Sequence, residues 1–60
     1  MCEFKVFLDG EKVTEDVVYA WVEGKNVTVR DILGKPVVLE GVKIKEIDVM
    51  TTRLVLTRIE

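Results

Sequence analysis

Apolar residues recur at every second position through most of this chain, which is the period of a half-buried strand and not of a helix. In the opening CEFKVFL, Cys2, Phe4, Val6 and Leu8 share one face, and Glu3, Lys5 and Phe7 share the other. Asp9-Gly10 then reads as a tight turn. Further strands are expected at VVYAWVE (17–23), VTVRDIL (27–33), PVVLE (36–40) and LVLTRI (54–59). Glu11 to Asp16 is polar apart from Val13 and reads as a loop or a short edge strand. Arg30-Asp31 breaks the alternation and suggests a bulge there. KIKEIDVM (43–50) changes phase between Ile44 and Ile47, so a bend is expected in it. Gly24-Lys25-Asn26, Gly34-Lys35-Pro36, Gly41 and Met50-Thr51-Thr52-Arg53 are the punctuation. Pro36 opens its strand, where no ladder donor is lost. No segment reads as a helix, because the one candidate, VTVRDILG, is short and rich in β-branched residues. The expected architecture is all-β: one highly curved sheet of about five or six short strands closed into a small barrel.

Sixty residues make a single domain, 1–60. A domain of that size buries only about 60% of its unfolded surface and gains much from a metal or a partner chain. Its one cysteine closes no disulfide within the chain. Apolar residues make up 48% and charged residues 33%, which suits a soluble globular domain. No apolar run is long enough to span a membrane, and no signal peptide is recognisable. A lone thiol then fits the reducing cytoplasm. The net charge of -2, with both signs interspersed, argues against nucleic acid or an anionic membrane as partner.

The second strand is apolar on both faces: Val18, Ala20 and Val22 on one, Val17, Tyr19 and Trp21 on the other. A single-layer barrel buries one face of each strand, so something else covers the second. Either loops fold over Tyr19 and Trp21, or Val17, Tyr19 and Trp21 form a homodimer interface with the aromatics as anchors. In the last strand, Leu54 and Leu56 lie on one side and Val55 and Ile59 on the other.

Catalysis finds little support. The chain has neither histidine nor serine, which removes Ser-His-Asp and Cys-His arrangements and any zinc site that uses histidine. Its glycines are dispersed and form no phosphate-binding pattern. Glu15-Asp16 and Glu46/Asp48 read as surface charge, so an enzyme is not expected. Cys2 has two readings. It is either a small buried hydrophobe at the start of a strand or a metal ligand. The Met1 amine, the Cys2 amide nitrogen and the Cys2 thiolate can close two fused five-membered chelate rings. Mixed nitrogen and sulfur donors in a plane suit Ni(II) or Cu(II). Two copies of Cys2 meeting at a dimer axis would complete a four-coordinate site without histidine. An RNA-binding barrel is the alternative, with Phe7, Tyr19, Trp21, Lys25 and Arg30 as its stacking and phosphate contacts. A purely structural interaction module is the third reading.

The start Met1-Cys2-Glu3 followed by Lys5-Val6, then Gly41, and Ile44-Lys45-Glu46-Ile47-Asp48 leading into Arg53-Leu54-Val55-Leu56, resemble the CooT family of small nickel-binding proteins. The resemblance covers nearly the whole chain. It implies an SH3-like or Sm-like barrel, a homodimer, and one nickel ion per dimer held through Cys2. It also implies a client such as carbon monoxide dehydrogenase. The family was earlier labelled RNA-binding on fold analogy.

Overall fold

A computed structural model describes residues 3–59 of the chain. Six strands follow one another without a helix: β1 (Phe4–Leu8), β2 (Glu11–Glu23), β3 (Asn26–Asp31), β4 (Pro36–Glu40), β5 (Val42–Asp48) and β6 (Arg53–Arg58). They form one mixed sheet in the order β4-β3-β2-β1-β6-β5, with β1 and β6 parallel and all other pairs antiparallel. The all-β, barrel-like fold expected from the alternation is therefore present. The curl brings β3 against β5, which are not ladder neighbours, and the Val42 amide donates to the Lys25 carbonyl at 3.0 Å. The two edge strands, β4 and β5, are joined through Gly41 and do not pair with each other. The barrel is thus an open one.

The inner face carries the core: Val6, Val17, Val27, Val29, Val42, Leu54 and Leu56, with Phe4, Leu8, Val37 and Leu39 packed around it. The faces read for the first and last strands are the observed ones. Phe4, Val6 and Leu8 point inward, as do Leu54 and Leu56. The β1–β2 connection is a two-residue turn in which Asp9 and Gly10 both take positive φ, 50° and 87°. This is why an Asp-Gly pair stands there.

Three expectations are corrected. Glu11–Asp16 is neither a loop nor a separate strand; it is the first half of the 13-residue β2 and pairs with β1. Its polar sequence concealed it because both of its faces lie largely in solvent. The irregularity at Arg30-Asp31 lies on the opposite strand: Val17 pairs with Asp31 and Tyr19 with Arg30, so the extra residue is in β2, beside Asp16 with its φ of 60°. And β3 stops at Asp31, two residues before Leu33. There the Asp31 Oδ1 accepts from the amides of Leu33 and Lys35, both at 2.9 Å, and folds the chain into a turn that leaves Ile32 and Leu33 exposed. Removing that acceptor with Asp31→Ala is expected to cost about 1 kcal/mol, read as a lower urea midpoint with an unchanged slope. The bend predicted between Ile44 and Ile47 is present. One extra residue between Ile44 and Glu46 keeps Ile44 opposite Leu56 and Ile47 opposite Leu54.

Candidate functional site

The start of β1 is held from both sides. Phe4 pairs with Val17 of β2, and Lys5 lies beside Arg53 of β6. The Lys5 amide donates to the Thr52 carbonyl at 2.8 Å, and its Nζ donates to the Thr52 Oγ1 at 3.2 Å. The chain therefore leaves the sheet toward its amino terminus from a fixed point between the middle of β2 and the β5–β6 turn. Met1 and Cys2, the donors read from the sequence, lie outside the described residues. Among the described residues no group of three histidine, cysteine, aspartate or glutamate side chains stands close enough to hold a metal ion.

The carboxylates behave as surface charge. The Lys12 ammonium donates to the Glu15 carboxylate at 2.9 Å, and this contact and its charge hold Glu15 below the usual carboxylate range. The Thr51 amide does the same for Asp48, at 3.2 Å. A catalytic acid needs the opposite shift, upward through burial.

The residues expected at a dimer interface divide. Val17 is 3% exposed and belongs to the core, whereas Tyr19 is 55% exposed and Trp21 half-buried on the outer face. The bulge at Val18 separates them, because an extra residue inverts the alternation beyond it. Hence Val17 does not share a face with Tyr19 and Trp21, which corrects the reading of that strand. The two rings lie 5.3 Å apart, and the Arg30 guanidinium sits 5.5 Å from the Trp21 ring. Of the RNA-contact candidates, Tyr19, Trp21 and Arg30 thus come together. Phe7 lies elsewhere, under Arg53 at 5.8 Å, and Lys25 stands at the β2–β3 turn.

Periodicity alone missed a second feature. Val18, Ala20 and Val22, read from the sequence as one apolar face of the strand, are all exposed, Val18 by 45% and Val22 by 54%. Val18 and Ala20 line an apolar groove of about 170 Å³ together with Phe4, Val17, Tyr19, Ile47 and Leu54. Val17 contributes to its floor. Phe4, which lines the groove, stands two residues from Cys2 in the sequence.

The family model of the CO dehydrogenase accessory protein CooT matches residues 1–57. The chain belongs to the CooT family. The match takes in the Met1-Cys2 start, the Ile44–Asp48 segment and all six strands up to Thr57, so the resemblance read from those residues is borne out. A comparison with curated proteins gave no match. By its description the family is one of accessory proteins.

Proposed function

We propose that this CooT protein is a non-enzymatic nickel carrier or store, binding Ni(II) as cargo through Cys2 at a homodimer interface. The observation that carries the reading is the family match, which runs through the Met1-Cys2 start. Cys2 supplies the only thiol in the chain and no histidine competes with it. The Met1 amine, the Cys2 amide and the Cys2 thiolate are nitrogen and sulfur donors, and two copies meeting at the interface share one ion between them. The fixed exit of the chain beside Thr52 gives both termini a defined origin. The exposed apolar residues of β2 supply a surface for a second copy, with Val17 at its floor and Tyr19 and Trp21 on the adjoining face.

The client is a nickel enzyme in maturation, carbon monoxide dehydrogenase being the one the family's description names. The working compartment is the cytoplasm, where a lone thiol stays reduced. No helix among the described residues is long and apolar enough to cross a membrane.

Titration of the metal-free protein with Ni(II), followed by the thiolate-to-metal absorption, tests this reading. Saturation at one ion per two chains is expected, with protons released on binding and weaker binding as pH falls. No absorption change at stoichiometric nickel would remove the metal from the account.

A further inference from the structure

Thr52 is held in a backbone conformation that suits it badly. Among the described residues, three other than glycine take positive φ: Asp9, Asp16 and Thr52. Aspartate tolerates the left-handed region because its short polar side chain bonds locally. A β-branched residue does not, and at φ 55° Thr52 is the outlier. It closes the turn between β5 and β6, where Asp48 faces Arg53 across the ladder. Glycine or asparagine is the ordinary occupant of a left-handed position in such a turn. Strain of this kind persists only where the surroundings hold it. Here the Thr52 amide donates to the Val49 carbonyl at 3.3 Å, and the Thr51 amide donates to the Asp48 Oδ1 at 3.2 Å.

What a threonine supplies there is its hydroxyl. The Thr52 Oγ1 donates to the Thr51 carbonyl at 2.6 Å and accepts from the Lys5 ammonium at 3.2 Å. The Thr52 carbonyl accepts from the Lys5 amide at 2.8 Å. Thr52 thus holds Lys5 by main chain and side chain at once. Lys5 opens the parallel β1–β6 ladder, beside Arg53, and stands three residues from Cys2 in the sequence. An exposed hydrogen bond contributes less stability than the left-handed backbone costs a β-branched residue. Stability therefore does not account for this threonine.

We propose that Thr52 is a positioning residue for the cargo site. It fixes the start of β1, and with it the point from which the chain runs back to Cys2, at a cost in fold stability. Such an exchange of stability for function is common at working sites. For its effect on nickel the inference rests on the proposed function; for its effect on stability it rests on the described backbone alone.

Three variants separate the parts. Thr52→Gly relieves the backbone and removes the hydroxyl. Thr52→Ser keeps the hydroxyl without the branching, and Thr52→Val keeps the branching without the hydroxyl. Melting of the metal-free proteins is compared at one chain concentration, and Ni(II) binding is titrated at one pH. Thr52→Gly is expected to melt at least about 3 °C above wild type and yet to bind nickel about 3- to 10-fold more weakly. Thr52→Val should weaken nickel binding as much with no gain in melting, and Thr52→Ser should bind as wild type does. A gain in stability joined to a loss of affinity, rescued by the serine hydroxyl, is a pattern that a merely structural residue does not give. A glycine variant that melts below wild type overturns the strain. One that melts higher but binds nickel as wild type does overturns the positioning role. Should wild type take up no nickel, the nickel reading falls by itself, and hydrogen exchange at the Lys5 amide decides on the positioning. Faster exchange in the glycine and valine variants than in wild type and the serine variant upholds it, and equal exchange in all four overturns it.

Discussion

Replacing Cys2 by serine is expected to lower the affinity for Ni(II) by more than about 100-fold, because even a lost second-shell partner of a metal ligand costs about 10–100-fold and in the proposed site the ligand itself goes. A serine hydroxyl does not ionise near neutral pH, so it offers no thiolate in exchange. The fold should be untouched, since every described core side chain lies at or beyond Phe4. Isothermal titration with Ni(II), run beside far-ultraviolet circular dichroism and melting of the same variant, checks both halves. Unchanged affinity in the serine variant would assign the metal to other donors. The Glu15 and Asp48 carboxylates make poor substitutes, being exposed or only partly covered and engaged with Lys12 and the Thr51 amide.

Leu56→Ala is the second large effect. Leu56 is 0% exposed and is among the largest fully buried side chains. It lies beside Leu8 of β1 and opposite Ile44 of β5, so it ties the parallel pair to the antiparallel one. Emptying such a site costs about 3–5 kcal/mol. A chain of 60 residues has a total stability of about 3–9 kcal/mol, so the variant loses a third to all of it. At a fixed chain concentration its melting midpoint should fall by about 15 °C or more, or no cooperative transition should remain. Ile32→Ala is the comparison: also apolar, but 54% exposed in the turn after β3, it should move the midpoint far less. Equal losses at the two positions would mean that the core is not organised around β6.

These variants also show which parts of the fold the alternation could carry. Phe4 to Leu8 and Leu54 to Arg58 were readable because the extra residues of their ladders fall on β2 and β5 and leave the alternation of β1 and β6 intact, so parity alone assigns Val6 and Leu56 inward. The same parity failed in β2, which carries one extra residue against β3 at Val18 and two more against β1 before Val17. The bulge at Val18 has no sequence signature of its own, since valine, tyrosine and alanine all suit a regular strand. It arises where β2 leaves β1 for β3, next to Asp16 in the left-handed region. That departure depends on where β1 begins, which is a tertiary fact. The turn at Asp31 was concealed by Ile32 and Leu33, whose β propensity is overridden by two hydrogen bonds to one carboxylate. The family was legible for a different reason: the Met1-Cys2 start and the Ile44–Asp48 segment are residue identities that need no fold to be read.

Native mass spectrometry of the purified chain, with and without one equivalent of Ni(II), reaches the central claim most directly, because it counts chains and ions in the same particle. The account predicts a two-chain species that takes up a single nickel, with no nickel retained by the Cys2→Ser protein. A one-chain species holding its own ion, or a two-chain species that takes up none, would contradict it.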